Sequence, residues 1–448
     1  MGSLKTEHLA PQTARDIQAF LWYCYVLRSS NSFLTPLLDD PLHFATKTGA
    51  AASGDLRESV LIGSSLLRSI MNRLYTESSP PHIVPLSGGI DSRLILGLLL
   101  EMGARPDITA VTFGTAGTWD FELAKHVARS ARVKHVTFEL SQLPLDAACM
   151  KQAFDSGASG TDLVTGYYNH FWKSQFPSDA TIWSGFLGGE IAGAHYKQGY
   201  EDCTWAEAKN IFTRSNKWCN AAPRSFDCAR FSPESVLPEC PLFTDSRILS
   251  YPEQLDFSIR QPAYIHRTLV GNATNFKLPF TQPDWVRYML SRPPRLRANC
   301  SLYHRIADRL SPRLFRIPTK NSLMASRRNS TQTHSPFRST FRNCIRRCKS
   351  RLSRLTDRRT PVFDHPHPQI NFVDFINMFP HRPDIKSLAL DASQALMHGP
   401  ASCFVNNNQR KMIEAGTLDG YELNLLISLE ANIRHGAFGL DTSSTYQF

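Results

Sequence analysis

Hydrophobic positions in the first half of the chain alternate between helical spacing and short apolar runs. One stripe recurs at steps of four and three residues, which predicts a helix with one buried face. Its members are Leu56, Val60, Gly63, Leu67, Ile70 and Leu74. Apolar runs predict β-strands at 83–86, 108–113, 133–138 and 181–184, and the segments between them predict helices at 91–102, 120–131 and 145–154.

This alternation predicts an α/β fold with a parallel, doubly wound sheet. Parallel strands need crossover connections, and the helices that make them cover both faces of the sheet. Ligands of such sheets bind beyond the carboxyl ends of the strands. Residues 87–92, 113–114 and 184–185 follow three of the predicted strands. We therefore expect these three turns to meet at one crevice.

The turn after the first predicted strand carries the most specific pattern in the chain, PLSGGIDSR. Gly88 and Gly89 lack Cβ atoms, so their backbone N–H groups can approach an anion closely. A helix follows the turn, and the N-terminus of a helix favours negative charge. Ser87 and Ser92 add hydroxyl donors, and Asp91 can hold the magnesium ion that accompanies phosphates. The pattern predicts a nucleotide-binding loop in an enzyme that splits ATP to AMP and pyrophosphate.

The composition is that of an ordinary globular protein, with 448 residues of which 42% are hydrophobic and 20% are charged. No apolar run approaches the ~20 residues that a membrane span requires. No signal peptide is evident either, so we expect a cytoplasmic protein without a membrane span. The ten cysteines include no C-x-x-C pair, which argues against a zinc ribbon.

Nearly all of the net charge of +11 lies in one segment, residues 321–360. Eleven lysines and arginines oppose a single aspartate there. The serine, threonine and asparagine content of this segment favours a mobile, solvated insertion. The alternative is an electrostatic contact with an anionic carrier, a polysaccharide or a nucleic acid, which would weaken steeply with salt. Because the rest of the chain is nearly neutral, we regard nucleic acid as an unlikely partner.

The pattern after residue 196 becomes mostly helical and rich in aromatic residues, prolines and arginines, and it ends with an amphipathic helix predicted at 421–433. We therefore predict three regions along the chain. They are a helical N-terminal segment at 1–78, an ATP-binding α/β domain at 79–195, and a helical C-terminal region at 196–448 that contains the basic insertion at about 321–360.

The glycine-bearing loop resembles the pyrophosphate loop (PP-loop) of the N-type ATP pyrophosphatases. Two later stretches, GTAGTWDFELA at 114–124 and WSGFLGGEIAG at 183–193, resemble the asparagine synthetase-like branch of these enzymes. Residues 301–320 resemble the late family segment whose lysine reaches back into the active site. The resemblance covers the chain from about residue 56 onward. It implies ATP and Mg²⁺ as cofactors, adenylation of a carboxylate with release of pyrophosphate, and attack of ammonia or an amine on the acyl-adenylate.

The resemblance also assigns roles to single residues. The backbone of Phe113 would meet adenine, and Ser184 and Gly185 would touch the AMP portion. Lys320 would be the lysine that stabilises charge developing on phosphate oxygens. The complete predicted set for nucleotide binding is Leu86, Ser87, Gly88, Gly89, Asp91, Ser92, Phe113, Ser184 and Gly185, and the predicted catalytic residues are Lys320, Asp91 and Glu190.

Two positions depart from the family pattern. Phe186 stands where the family has a carboxylate or tyrosine that helps to handle the proton of the attacking amine, and a benzyl side chain can neither accept nor donate one. Gly189 replaces a metal-binding aspartate. We expect the adjacent Glu190 to serve as the metal ligand together with Asp91. Phe186 either marks a subfamily or indicates an inactive site.

Glutamine-hydrolysing relatives begin with a catalytic cysteine after the initiator methionine, whereas this chain has Gly2 there and its first cysteine is Cys24. We therefore expect a synthetase domain without the N-terminal glutaminase domain. The nitrogen would come from free ammonia, an amine or a separate glutaminase. The acid would be a small-molecule or sugar-linked carboxylate, such as aspartate or a uronic acid. Two alternatives remain: a PP-loop tRNA-modifying enzyme whose basic segment holds phosphates, and a catalytically inactive nucleotide-binding member.

Overall fold

A parallel β-sheet of five strands forms the centre of the protein. The structure is a computed structural model, and it describes residues 9–27, 55–228, 231–246, 249–323, 363–370 and 372–440. The strands are β1 at His82–Pro85, β2 at Ile108–Gly114, β3 at Lys134–Glu139, β4 at Thr181–Trp183 and β5 at Phe276–Lys277.

The strands lie in the order β3-β2-β1-β4-β5, and each adjacent pair is parallel. The register pairs Val84 of β1 with Ala110 of β2, and Ile83 of β1 with Ile182 of β4. The chain order reverses at β1, so the carboxyl ends of β1 and β4 leave a crevice there. This topology confirms the predicted α/β fold and its parallel sheet.

Helices make up most of the other described residues. Those in the first half of the chain are Pro11–Tyr23, Leu56–Thr76, Asp91–Glu101, Trp119–Ala131, Ala147–Ala153, Leu163–Ser174, Gly188–Ile191 and Trp205–Asn216. Those in the second half are Tyr251–Leu255, Asp256–His266, Arg267–Leu269, Pro283–Leu290, Pro294–Arg297, Ser301–Leu310, Pro312–Phe315, Phe375–Met378, Pro383–His398, Gln409–Glu414 and Gly420–Arg434. Asp256–His266 is a π-helix, whose turns are wider than those of an α-helix.

Neighbouring residues of the central strands point into different cores. Val84 and Trp183 belong to the core that covers one face of the sheet. Ile83 and Ile182 pack with Trp172 on the opposite face. Because successive side chains of a strand point to opposite faces, this division requires apolar residues at adjacent positions of β1 and β4. The pair Ile83 and Val84 and the pair Ile182 and Trp183 meet this requirement.

The strand β5 comes from a part of the chain that was predicted to be helical. Lys277 of β5 pairs with Trp183, and the N–H of Ser184 donates to the carbonyl of Lys277 at 3.1 Å. A strand of two residues is too short to produce a recognisable hydrophobic period, so it could not be predicted from the sequence. On one face of the sheet, helix Leu56–Thr76 packs against helix Ser301–Leu310. The three predicted regions thus contribute to one sheet and its cover, and their boundaries stay a prediction.

The predicted basic insertion at 321–360 lies almost entirely outside the described residues, which end at 323 and resume at 363. Its mobility and its role therefore stay predictions. Among the helices of the described ranges, none combines the length and the apolar character needed to cross a bilayer.

Candidate ATP-binding and ligase site

The glycine-bearing loop joins β1 to helix Asp91–Glu101 at the carboxyl end of the central strand. Leu86 at its start is buried and donates its N–H to β2 at 2.7 Å. A side chain at Gly88 would place its Cβ 2.9 Å from Leu123 and 3.1 Å from the carbonyl of Trp119. Only glycine at this position lets the loop lie directly against helix Trp119–Ala131.

Two serine hydroxyls shape the loop. The hydroxyl of Ser92 accepts the N–H of Ser87 at 3.2 Å, and the hydroxyl of Ser87 accepts the N–H of Gly89 at 3.2 Å. Ser92 is buried, whereas Ser87 and Gly89 are half-buried at the surface of the turn. Each hydroxyl still carries a hydrogen that it can donate. The predicted serines therefore act on the backbone of the loop as well as on its rim.

Asp91 lies half-buried where the helix begins, and its carboxylate faces two other elements. Tyr303 donates its hydroxyl hydrogen to Asp91 Oδ1 at 2.8 Å. Gly185 and Gly188 make room for this side chain, because a Cβ at either glycine would overlap it. Burial, followed by the negative charge of Glu190, raises the pKa of Asp91 to about 7.

Asp91 and Glu190 are the two carboxylates of the site that suit a magnesium ion. Mg²⁺ usually takes one or two protein carboxylates and completes its coordination with water and substrate phosphates. The raised pKa of Asp91 reflects its burial first and the negative charge of Glu190 second, and a cation bound at Asp91 would favour its charged form. Within the described residues, no three His, Cys, Asp or Glu side chains are arranged to hold a metal on their own.

Lys320 reaches the loop from a distant part of the chain. Its backbone N–H donates to the carbonyl of Gly88 at 3.1 Å. Its ammonium donates to Asp120 Oδ2 at 2.9 Å, and Asp120 Oδ1 accepts the N–H of Gly88 at 3.0 Å. One carboxylate thus holds both the lysine and the glycine amide. The side chain of Lys320 is 28% exposed, so a ligand in the crevice can reach it.

Arg93 holds the chain segment that carries Lys320, a role that the sequence did not predict. Its side chain is fully buried and donates only to backbone carbonyls. These carbonyls belong to Leu314 at 3.3 Å, Ile317 at 2.6 Å, Pro318 at 3.2 Å and Gly88 at 3.4 Å. Burial lowers the pKa of Arg93 to about 10, which leaves the guanidinium charged at neutral pH. An arginine in an otherwise apolar helix was the available signal.

Phe113, the predicted adenine contact, lies near the carboxyl end of β2, the strand next to β1. Its ring stacks on Trp172, with 4.8 Å between ring centroids, on the face of the sheet opposite the loop helix. The next residues are covered by a late segment of the chain, because Thr115 donates its N–H to the carbonyl of Phe372 at 2.8 Å. Only the backbone of Phe113 therefore lies near the crevice, in agreement with the predicted type of contact.

A cavity of about 470 Å³ opens at the carboxyl ends of β2 and β3. Its walls include Thr115, Glu139, His365 and Asp374. Nε2 of His365 lies 3.4 Å from the buried carboxylate of Asp374. Since Thr115 follows Phe113 by two residues, this cavity lies beside the predicted adenine position.

Ser184 and Gly185, the predicted AMP contacts, lie at the end of β4 next to the glycine-bearing loop. Ser184 is buried, and its hydroxyl accepts the N–H of Phe186 at 3.2 Å. Gly185 packs so closely on the loop that its Cβ would lie 3.1 Å from the N–H nitrogen of Ser92. The two predicted turns therefore meet at one crevice.

Residues 62–154 match the family model described as asparagine synthase. This range includes β1, β2, β3 and the glycine-bearing loop. Residues 62–154 are therefore similar to an asparagine synthase domain. The match supports an ATP-using ligase family and confirms the resemblance within these residues. No curated protein matches the chain at a significant level.

Phe186 and Gly189, the two positions noted as departures from the family pattern, have different surroundings. Phe186 is 5% exposed, and its ring lies 5.7 Å from the ring of His266. At Gly189, a Cβ would lie 3.6 Å from Ala194 and 3.9 Å from Asp91 Oδ2, which are ordinary contact distances. A side chain thus fits at Gly189 and would point towards Asp91.

The π-helix Asp256–His266 approaches the residues that follow β4, because the ring of His266 lies 5.7 Å from the ring of Phe186. The carboxylate of Asp256 is 6% exposed and lies 3.2 Å from Nδ1 of His195. It also accepts a hydrogen bond from Gln261 at 3.0 Å, and Arg260 lies 3.5 Å from its second oxygen. None of these residues was assigned a role from the sequence. Long π-helices are rare and often occur at functional sites, but they leave no recognisable sequence pattern.

The structure brings most of the predicted site residues to the carboxyl ends of β1 and β4. They are Leu86, Ser87, Gly88, Gly89, Asp91, Ser92, Ser184, Gly185, Glu190 and Lys320. Phe113 lies on the neighbouring strand. The contacts added by the structure are those of Arg93, Asp120 and Tyr303. The catalytic and binding roles of all these residues stay predictions.

Proposed function

We propose that the chain is an ATP-dependent, AMP-forming carbon–nitrogen ligase. It adenylates a carboxylate, releases pyrophosphate and passes ammonia or an amine to the activated acyl group. The acid is a small-molecule or sugar-linked carboxylate. The nitrogen comes from ammonia, from an amine or from a separate glutaminase.

The position of Lys320 carries this proposal. Lys320 lies outside the residues that match the asparagine synthase family, yet its backbone and its ammonium both contact the glycine-bearing loop or its neighbour Asp120. A loop that only binds phosphate does not need a cation delivered from a distant segment. A ligase does, because negative charge grows on phosphate oxygens while the acid is adenylated, and a positioned ammonium can stabilise it.

The remaining residues fit the same reaction. The N–H groups of Gly88 and Gly89 would bind the β- and γ-phosphates, and Ser184 and Gly185 would hold the AMP portion. Asp91 and Glu190 would hold Mg²⁺, which neutralises the leaving pyrophosphate. Lys320 would then stabilise the charge on the phosphate that stays with the acyl group.

Binding of nucleotide without turnover is the second candidate function. Two observations favour it: Phe186 presents an apolar ring where the family has a proton-handling group, and Gly189 lacks the metal-binding carboxylate. Both proposals require ATP at the loop. They differ in whether an acid and pyrophosphate react there.

Exchange of labelled pyrophosphate into ATP tests adenylation separately from nitrogen transfer. The wild-type protein is incubated with Mg-ATP and with L-aspartate, L-glutamate or D-glucuronate in turn. The ligase proposal requires exchange that depends on one of these acids. Binding of Mg-ATP in a calorimeter without exchange for any acid would support the second candidate instead.

Lys320→Ala should slow this exchange by about a hundredfold, the effect expected for loss of one transition-state donor. Binding of Mg-ATP should stay close to that of the wild type, since the loop amides remain. Lys386→Ala is the matched control, because Lys386 is an exposed lysine that contacts only the carbonyl of Glu414 at 2.9 Å among the described residues. An equal exchange rate in Lys320→Ala and the control would remove the role of Lys320.

A further inference from the structure

The side chains of His195 and Asp256 form a hydrogen-bonded pair in the wall of the site. Nδ1 of His195 lies 3.2 Å from Asp256 Oδ2. Gln261 donates to the same oxygen at 3.0 Å and fixes its orientation. Arg260 lies 3.5 Å from the other carboxylate oxygen and keeps Asp256 ionised in its buried position. The carboxylate is therefore held in place from two sides.

The two members of the pair differ in exposure. The side chain of Asp256 is 6% exposed, whereas that of His195 is 43% exposed. Since Nδ1 faces Asp256, the other ring nitrogen, Nε2, is the atom that can meet a ligand. A buried carboxylate behind an accessible imidazole is the arrangement that orients a histidine for proton transfer and stabilises its charged form.

The pair lies close enough to the proposed reaction centre to share charges with it. The carboxylate of Glu190 acts electrostatically on Asp91 of the loop and also on His195 and Arg260. The backbone gives the same proximity, because Ala194, which precedes His195, donates its N–H to the carbonyl of Gly189 at 2.9 Å, and the Cβ position at Gly189 lies 3.9 Å from Asp91 Oδ2. The same π-helix carries His266, whose ring lies against Phe186, so it borders the site at both of its ends.

We propose that His195 is the catalytic base that takes the proton from the attacking amine, and that Asp256 is its positioning residue. This inference rests on the proposed ligase function and adds the group that Phe186 cannot supply. It also makes ammonia or an amine with an N–H bond the required class of nitrogen donor, because such a donor must lose a proton when it forms the amide.

The step balances without any further reactant. The lone pair of the amine nitrogen forms a bond to the acyl carbon, and the bond between that carbon and the phosphate oxygen breaks. AMP leaves with the bonding electron pair. Nε2 of His195 takes one proton from the nitrogen, Asp256 stabilises the resulting imidazolium, and the proton then passes to water.

The surroundings of His195 set a pH dependence. Burial lowers the pKa of His195, but the hydrogen bond and charge of Asp256, together with the charge of Glu190, raise it by more, while Arg260 opposes them. The net shift is upward from the ordinary value of histidine. Only neutral His195 accepts a proton, so amide formation should increase as the pH rises through this elevated pKa. Asp256→Asn removes the main raising contact and should move the increase to lower pH.

The experiment compares two nucleophiles and two half-reactions. His195→Gln and Asp256→Asn are made in the full chain, and the exposed His398→Gln serves as the control. Acid-dependent pyrophosphate exchange measures adenylation. Amide formation is measured with ammonia, and hydroxamate formation with hydroxylamine, which is a weak base that is already neutral near pH 7 and has less need of a catalytic base.

His195→Gln should lower amide formation with ammonia by about a hundredfold, the usual contribution of a positioned base. Pyrophosphate exchange and hydroxamate formation should stay within about threefold of the wild type, which a merely unfolded or distorted variant would not achieve. Equal loss of exchange and amide formation, or an unchanged rate with ammonia and an unchanged pH profile, would overturn the inference. If wild-type protein shows no exchange with any acid, the ligase proposal fails first and the inference fails with it.

Discussion

Gly189 leaves a space beside Asp91 that the asparagine synthase family fills with an aspartate. The Cβ position at Gly189 is 3.9 Å from Asp91 Oδ2, and the backbone there has no positive φ, so a side chain can be added without overlap or strain. Any side chain at Gly189 points to the place proposed for Mg²⁺. The glycine therefore leaves the proposed metal site with two carboxylates, those of Asp91 and Glu190.

Gly189→Asp should strengthen the response of the protein to Mg²⁺. Three carboxylates attract the ion more strongly than two, and the Mg²⁺ concentration that gives half of the maximal thermal stabilisation should fall about tenfold, or about 1.4 kcal/mol. In EDTA the variant should melt below the wild type, because the added charge lies next to Asp91 and Glu190. Thermal melting across a Mg²⁺ series measures both effects.

Gly189→Asn is the matched control for this prediction. It adds nearly the same volume without the charge, so it should change neither the response to Mg²⁺ nor the melting temperature in EDTA by a comparable amount. A Mg²⁺ response of Gly189→Asp equal to that of Gly189→Asn would argue against a metal site between Asp91 and Glu190.

Single residues were predictable where a local pattern determines their contacts. Gly88, Ser92 and Asp91 belong to one turn, and the hydrogen bond between Ser87 and Ser92 lies within it, so the motif was sufficient to place these residues together. Asp120 and Tyr303 contact the same turn from other elements, and no local pattern can predict such a contact. Their hydrogen bonds to Gly88 and Asp91 required the fold.

At the scale of elements, helix Asp91–Glu101 does more than supply an N-terminus for phosphate. Arg93 in its first turn holds the carbonyls of Ile317 and Pro318, two residues that directly precede the Lys320 segment. It also holds the carbonyl of Gly88. The buried guanidinium of Arg93 thereby joins the glycine-bearing loop to the segment that carries Lys320. A movement of the loop would therefore displace the segment, and a movement of the segment would displace the loop.

Arg93→Met should separate these two elements. It leaves several buried carbonyls without donors, and the free energy of unfolding should fall by about 2–4 kcal/mol. The amides of residues 314–320 should exchange hydrogen faster than in the wild type, while those of β1 and β2 should not. Chemical denaturation and hydrogen exchange measured by mass spectrometry check the two parts.

Arg68→Met provides the comparison for Arg93→Met. Arg68 pairs with Glu101 at 2.7 Å, but both side chains are more than 40% exposed, so its removal should cost less than about 1 kcal/mol. Equal effects of the two substitutions, with unchanged exchange at 314–320, would show that Arg93 does not hold the segment.

The strands differ in how far sequence could predict them. Strands β1, β2 and β4 are largely apolar because helices cover both faces of the sheet there, and this produces a clear run in the sequence. Strand β3 lies at the edge of the sheet, and its residues are exposed or half-buried, with only Val136 and Phe138 apolar. β5 consists only of Phe276 and Lys277, both half-buried, and it exists because β4 offers an edge for pairing. The formation of β5 depends on pairing with β4, which lies almost a hundred residues earlier in the chain, so no local pattern predicts this strand.

At the scale of the whole molecule, helix Gly420–Arg434 packs in a further hydrophobic core, separate from those on the two faces of the sheet. Nearly all of its side chains are buried, although its sequence was predicted to be amphipathic. One of these buried side chains, that of Asn432, is polar and makes three hydrogen bonds. Its Oδ1 accepts the N–H of Gly160 at 2.7 Å, and its Nδ2 donates to the carbonyls of Thr161 and Ser428 at 2.8 Å each. Helix Gly420–Arg434 is thus hydrogen-bonded to the turn that precedes helix Leu163–Ser174.

Asn432→Leu should reduce the free energy of unfolding by about 2–5 kcal/mol, because the N–H of Gly160 and the carbonyl of Thr161 lose their partner inside the core. Asn72→Leu on the exposed face of helix Leu56–Thr76 should change it by less than about 0.5 kcal/mol. Urea denaturation measures both values. A cost for Asn432→Leu below 1 kcal/mol would mean that the C-terminal helix is not held through this side chain.

The carboxylate of Asp120 already receives the two donors that the proposed reaction assigns to phosphate, namely the N–H of Gly88 and the ammonium of Lys320. An incoming phosphate oxygen would displace one resident anion from them instead of finding them unused. Nucleotide binding is then a ligand exchange, and its measured strength is the preference of the loop for phosphate over its own aspartate. A modest affinity for Mg-ATP is the natural outcome of such a competition, even with every contact formed.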